Sequence, residues 1–163
     1  MPTPRKTARA LRAGPVALLA LVACACSPGA PEGVSKKVLD EAISQGIGDP
    51  NTCVLIGKVG SGEIVYRYNT HLTCGRELPS CQGGSAVTVD DVLKSVAKGE
   101  PERALSCPTA TDGSRSVGWS AGRVLGKELV YAAVMEGQKA LPGRVMADRL
   151  ERAFVKAGLQ PER

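Results

Sequence analysis

Two strand-length runs separated by Gly60-Ser61-Gly62 constrain this chain more tightly than any other feature. Cys53 to Val59 is almost continuously apolar, the pattern of a strand covered on both faces. In Glu63 to Asn69, Ile64, Tyr66 and Tyr68 alternate with Val65 and Arg67, so one face should be covered and the other partly wet. The glycines supply the turn, and the sequence predicts an antiparallel hairpin. If it turns at Ser61-Gly62, Gly60 faces Glu63 and Cys53 faces Thr70.

The flanking segments fall into place around it. Val34 to Gln45 reads as a helix, with Val34, Val38 and Ala42 recurring every four residues beside Leu39 and Ile43 and with Gly46 as its stop. Thr70 to Ala86 reads as a loop. Thr88-Val89-Asp90-Asp91 then has capping-box form, and Val89, Val92, Leu93, Val96 and Ala97 make one apolar stripe ending at Gly99. Short strands follow at Arg103 to Cys107, Val117 to Ala121 and Leu129 to Met135, the last apolar enough to be central. Pro142 opens a closing helix whose Met146, Leu150, Ala153, Phe154 and Ala157 share a face up to Gly158. The predicted class is α+β: an antiparallel sheet of about five strands flanked by helices, in the order α-β-β-α-β-β-β-α, over a single domain at residues 34–160.

Four cysteines lie in that domain: Cys53, Cys74, Cys81 and Cys107. Four allow three pairings. The hairpin brings Cys74 within reach of Cys53, which favours Cys53–Cys74 with Cys81–Cys107. The rival, Cys74–Cys81 with Cys53–Cys107, asks the first and third strands to meet. His71, Cys74 and Cys81 imitate half a zinc site, but no second close pair accompanies them and oxidation would consume the thiols. No metal and no cofactor is expected.

The first 23 residues have a different character. Met1 to Arg12 carries Arg5, Lys6, Arg9 and Arg12 and no acid, and Ala13 to Ala23 is apolar but too short to span a bilayer, which takes about 20 residues. Leu21-Val22-Ala23-Cys24 resembles the lipobox of bacterial lipoproteins. That resemblance implies a signal peptide at residues 1–23, cleavage before Cys24, and diacylglycerol and palmitate at the new terminus. Ala25, where an Asp would signal retention, implies the outer membrane, periplasmic face, in a bacterium with two membranes. An acyl anchor holds to one leaflet without crossing. Residues 24–33, broken by Pro28, Gly29, Pro31 and Gly33, read as a tether. Cys26 is left over as a free thiol, an intermolecular partner or a second acylated site.

Cleavage would take four of the 21 basic residues and none of the 16 acids, lowering the formal charge from +5 to +1. With aromatic content at 3%, nucleic acid loses both its electrostatic and its stacking attraction, and is excluded as a partner.

Two serine motifs invite a catalytic reading. Gly118-Trp119-Ser120-Ala121-Gly122 matches G-x-S-x-G, whose nucleophile needs a helix after the serine and a histidine further on. Neither follows, so Ser120 is expected in a strand, with Trp119 packed over the sheet. Ser95-Val96-Ala97-Lys98 matches S-x-x-K, with both side chains on one helix face. It falls at the end of its helix, where a lysine meets solvent and the carboxyl-end dipole. Gly60-Ser61-Gly62 precedes no helix and is no phosphate cradle. Asp90, Asp91, Glu100 and Glu102 read as solvated helix and turn positions.

Two stretches resemble the sheet of serine β-lactamases and penicillin-binding transpeptidases: Val65-Tyr66-Arg67-Tyr68-Asn69, and Gly118 to Gly122 leading into Leu129 to Glu136 and a closing helix. The implied fold has an initial helix, a hairpin and three later strands in one sheet. Ser80-Cys81-Gln82-Gly83 stands where that family carries S-x-x-K, without the lysine, and K-T-G is absent. The resemblance therefore implies a shortened, inactive relative. The same element order is similar to profilin-like and roadblock-type modules, whose work is binding; fold analogy does not transfer function. The sequence thus predicts a lipid-anchored envelope protein that is a non-catalytic binding or structural module for another envelope component, with a serine hydrolase or transpeptidase acting through Ser95 and Lys98 or through Ser120 as the alternative.

Overall fold

A computed structural model describes Met1 and residues 29–162. The lipobox, the signal peptide and Cys26 lie outside this described part. The elements are α1 (Lys36–Ile47), β1 (Thr52–Lys58), β2 (Ile64–Tyr68), α2 (His71–Cys74), α3 (Val89–Ala97), β3 (Arg103–Pro108), β4 (Ser116–Arg123), β5 (Leu129–Gly137) and α4 (Gly143–Lys156). The strands form one antiparallel sheet in the order β2-β1-β5-β4-β3, so the predicted α+β class holds, the predicted element order holds apart from the added α2, and β5 is central.

The pleat divides the apolar residues into two cores. Val54 and Ile56 of β1 and Ala133 and Met135 of β5 join Leu39, Ile43 and Ile47 of α1 and Met146, Leu150 and Phe154 of α4. Cys53, Leu55, Val130, Ala132, Val134, Val117 and Trp119 point the other way, against Val89, Val92, Leu93 and Val96 of α3. The sheet is therefore a middle layer, which is why β1 and β5 read as continuous apolar runs. At about 25 cal/mol per Å2 of apolar surface removed from water, both faces are needed to hold a domain with so few aromatic residues.

Several local expectations are corrected. The helical stripe of α1 is Leu39, Ala42, Ile43 and Ile47, while Val38 is exposed. Gly46 does not stop α1; it lies inside the helix, where an added Cβ would sit 3.4 Å from the Arg149 carbonyl of α4. The hairpin register differs from the predicted one: Val54 pairs with Tyr68 and Ile56 with Tyr66, but Gly57 pairs with Ile64. Val65 is the extra residue of a β-bulge. Ile64 consequently packs with the α3-side core and Tyr66 with the other, and strict alternation fails there.

The long loop holds a helical turn that the sequence pattern does not reveal. Thr70 caps α2 by accepting from the Thr73 amide, and an isolated bridge joins Leu78 to Val87. The tether also ends sooner than its composition suggests. Pro31 is buried and accepts a hydrogen bond from the Val34 amide at 3.1 Å, so the last tether residues belong to the folded domain. α3 starts as predicted: Thr88 and Asp91 form a reciprocal capping box, and the Thr88 amide bond holds the Asp91 carboxyl below its usual range.

Candidate functional site

The disulfides are Cys53–Cys74 and Cys81–Cys107, with Cα atoms 5.2 and 5.5 Å apart. The first forms although the hairpin register differs from the predicted one, because α2 turns the chain back toward β1. Cys53 lies beside Val134 of β5, and Cys107 lies beside Val117, which in turn faces Glu136. Both bridges thus reinforce one end of the sheet, where β5 finishes.

Glu136 is the centre of that end. A carboxylate continuing the apolar face of β5 would be costly without partners. Here Arg115 forks across it, Nε to Oε1 at 3.0 Å and Nη2 to Oε2 at 2.8 Å. Arg76 Nη2 donates to Oε2 at 2.8 Å and Thr109 Oγ1 to Oε1 at 2.9 Å. Glu136 is 4% exposed, whereas both arginines keep partial contact with water. The Arg115 bonds dominate, and with Arg76 and Thr109 they outweigh burial and pull the Glu136 carboxyl down to about 2. The same contact raises Arg115 above its ordinary value.

Beside this cluster a polar cavity of about 220 Å3 is lined by Asp49, Asn51, Arg115, Glu136 and Lys139. It shares Asp49 with a shallower depression of about 470 Å3 bordered by Ser44, Tyr68 and Asn69. The Asn69 side chain donates to the Pro50 and Thr52 carbonyls and fixes that rim. The result is a fixed, hydrogen-bonding concavity. Its carboxylate stays ionised at neutral pH and is saturated with donors, so it suits recognition and not proton transfer. Glu136 is invisible as a site in the sequence because its partners are scattered over 60 residues.

Neither serine motif builds a nucleophile. Ser120 is wholly buried in the middle of β4, between Ala104 and Ala133, with its hydroxyl 3.0 Å from the Tyr131 hydroxyl. Burial holds the Tyr131 hydroxyl above its usual range. Gly118 and Gly143 show why this stretch is small. A Cβ on Gly118 would come 2.0 Å from the Leu141 carbonyl, and one on Gly143 would come 2.1 Å from the Trp119 carbonyl. G-x-S-x-G is here a low ridge over which the start of α4 lies flat. Trp119, on the other face, is 1% exposed and donates from Nε1 to the Pro79 carbonyl at 2.8 Å.

Ser95 and Lys98 are not joined either. Ser95 Oγ donates to the Val92 carbonyl at 3.0 Å and accepts from Arg103 at 3.2 Å, while Lys98 stands exposed at the helix end. Glu100 pairs with Arg103 at 2.6 Å, and Glu102 accepts from the Arg123 amide. His71 lies 2.7 Å from Arg67. Among the described residues no group of His, Cys, Asp or Glu has metal-site geometry, and no helix is long and apolar enough to cross a membrane.

Fold and bridges together define a disulfide-bonded α+β domain. No protein-family model, curated protein or solved structure matches the chain.

Proposed function

We propose that this chain is a lipoprotein of the cell envelope, anchored through Cys24, whose domain is a non-catalytic binding or structural module for another envelope protein. What carries the non-catalytic half is the placement of Ser120, shut beneath α4 against Tyr131, and of Ser95, tied to Val92 and Arg103. A nucleophile needs an adjacent base and access to substrate. Neither serine has both.

The anchored half rests on the lipobox and on where the chain joins the domain. Pro31 is buried, and Ala30 to Gly33 border Lys58, Lys127 and Leu129, at the end of the sheet where β5 begins. Six residues, seven Cα steps, separate Cys24 from Pro31, a reach of about 25 Å at most. The end bearing Lys58 and Lys127 would then face the lipid. The Glu136 concavity and both disulfides, a strand length of about 30 Å away, would face the partner.

The purified domain, incubated with penicillin and with a general serine-directed covalent probe, is expected to remain unlabelled by intact mass. Stoichiometric labelling at Ser95 or Ser120 would replace this reading with the hydrolase or transpeptidase one.

A further inference from the structure

The two disulfides differ in their surroundings. Cys53 is fully buried in β1 and Cys74 is 7% exposed. Cys81 and Cys107 are both partly exposed, the first in a loop and the second on the edge strand β3. Cys81 has φ of 62°, a left-handed conformation that non-glycine residues rarely adopt. Gln82 to Ala86, just beyond it, are exposed, and Gly83 and Gly84 also have positive φ.

This loop covers something specific. α3 packs over β5, β1 and β4. The loop from Leu78 to Val87 meets the Trp119 indole at the Pro79 carbonyl and reaches β3 at Cys107. It is pinned at its base by the reciprocal Leu78–Val87 backbone bonds of 3.0 and 2.9 Å, and along its length by the Trp119-to-Pro79 bond and the Cys81–Cys107 bridge. Accessible disulfides exchange with thiols more readily than buried ones.

We propose that Cys81–Cys107 is a thiol–disulfide exchange site whose reactant is a dithiol, and that its opening lifts the loop from Trp119. A thiolate of the dithiol attacks the Cys81 sulfur. This forms a mixed disulfide and breaks the bond to Cys107, whose thiolate takes up a proton. The second thiol of the reactant then attacks its own mixed sulfur, closes the reactant's disulfide and expels Cys81, which is protonated in turn. Two electrons and two protons pass to the protein cystine, leaving two free thiols and an oxidised dithiol. Cys53–Cys74, buried where α2 meets β1, is spared. The opened loop uncovers the indole N–H and the apolar patch that Trp119 makes with Leu105 and Val117.

The chain contains one tryptophan, so its emission reports the step directly. The oxidised protein is titrated with dithiothreitol under native conditions, alkylated and peptide-mapped, with fluorescence and far-ultraviolet circular dichroism read alongside. Cys81 and Cys107 should become alkylated at a dithiothreitol concentration at least about tenfold below that needed for Cys53 and Cys74. Trp119 emission should shift to the red over the same range while the helical signal is retained. Reduction of both bridges together, or of Cys53–Cys74 first, would overturn the proposal. So would unchanged Trp119 emission once Cys81 and Cys107 are alkylated. The Cys81→Ser/Cys107→Ser protein provides a second arm: folded by circular dichroism, it should show red-shifted emission without reductant, and native-like emission would contradict the latch. None of these readouts depends on the lipid anchor.

Discussion

Glu136 holds four side-chain hydrogen bonds from three residues on two separate segments, Arg76 after α2 and Thr109 and Arg115 between β3 and β4. Glu136→Ala leaves two guanidinium groups without their anion, but both are partly exposed and can turn to water, so the expected loss of stability is about 1–3 kcal/mol. The pH dependence follows from the lowered pKa. The ordinary carboxyl value is 4.5 and the folded one about 2. Above about 4.5 both states are ionised and the contribution is whole. As pH falls from there toward 2, the unfolded chain binds a proton the folded chain refuses, and stability declines. Asp91, also lowered, adds in the same direction. Urea unfolding between pH 7 and pH 3 should show a shallower decline for Glu136→Gln than for the parent, and equal slopes would place the acid sensitivity elsewhere. None of this is legible in the sequence, where Glu136 is one acid following an apolar run. The capping box at Thr88 and Asp91 is legible because its partners lie three residues apart.

At the scale of elements, adjacency again decides what can be foreseen. Continuous apolar runs locate β1 and β5, and period-3.6 stripes locate α3 and α4, and hence the fold class, since each pattern is written within one element. The bulge at Val65 is hidden because bulged and regular strands share one composition. α2 is hidden because four residues are too few to show a period. The placement of Cys74 beside Cys53 survives the change of register since a bridge requires proximity and not a particular pairing. G-x-S-x-G illustrates the opposite hazard, a motif satisfied by packing needs. Gly143 tests the packing reading. An added Cβ would stand 2.4 Å from the Leu105 carbonyl and 2.5 Å from its amide nitrogen, besides the Trp119 contact. These are backbone atoms and cannot rotate aside, so Gly143→Ala is expected to cost about 3 kcal/mol or more by forcing α4 off the sheet. Thermal unfolding measures it, and a change under about 0.5 kcal/mol would show that α4 shifts freely.

The whole molecule has two unlike ends. At one, the chain arrives through a buried Pro31 beside Lys58 and Leu129. At the other, two covalent bridges and an ionic cluster stiffen a polar concavity. A small core built mostly from aliphatic side chains gains from such staples, which restrict the unfolded chain, by roughly 2–4 kcal/mol each. Under the proposed anchoring through Cys24, this polarity would become an orientation, one end toward lipid and the reinforced end outward. Everything in that picture depends on the state of Cys24 in the cell. Intact mass of the protein extracted from membranes should give a chain beginning at Cys24 and carrying diacylglycerol, with its acyl chains removable in part by mild alkali. An unmodified polypeptide, beginning beyond residue 26 or retaining its first 23 residues, would contradict it.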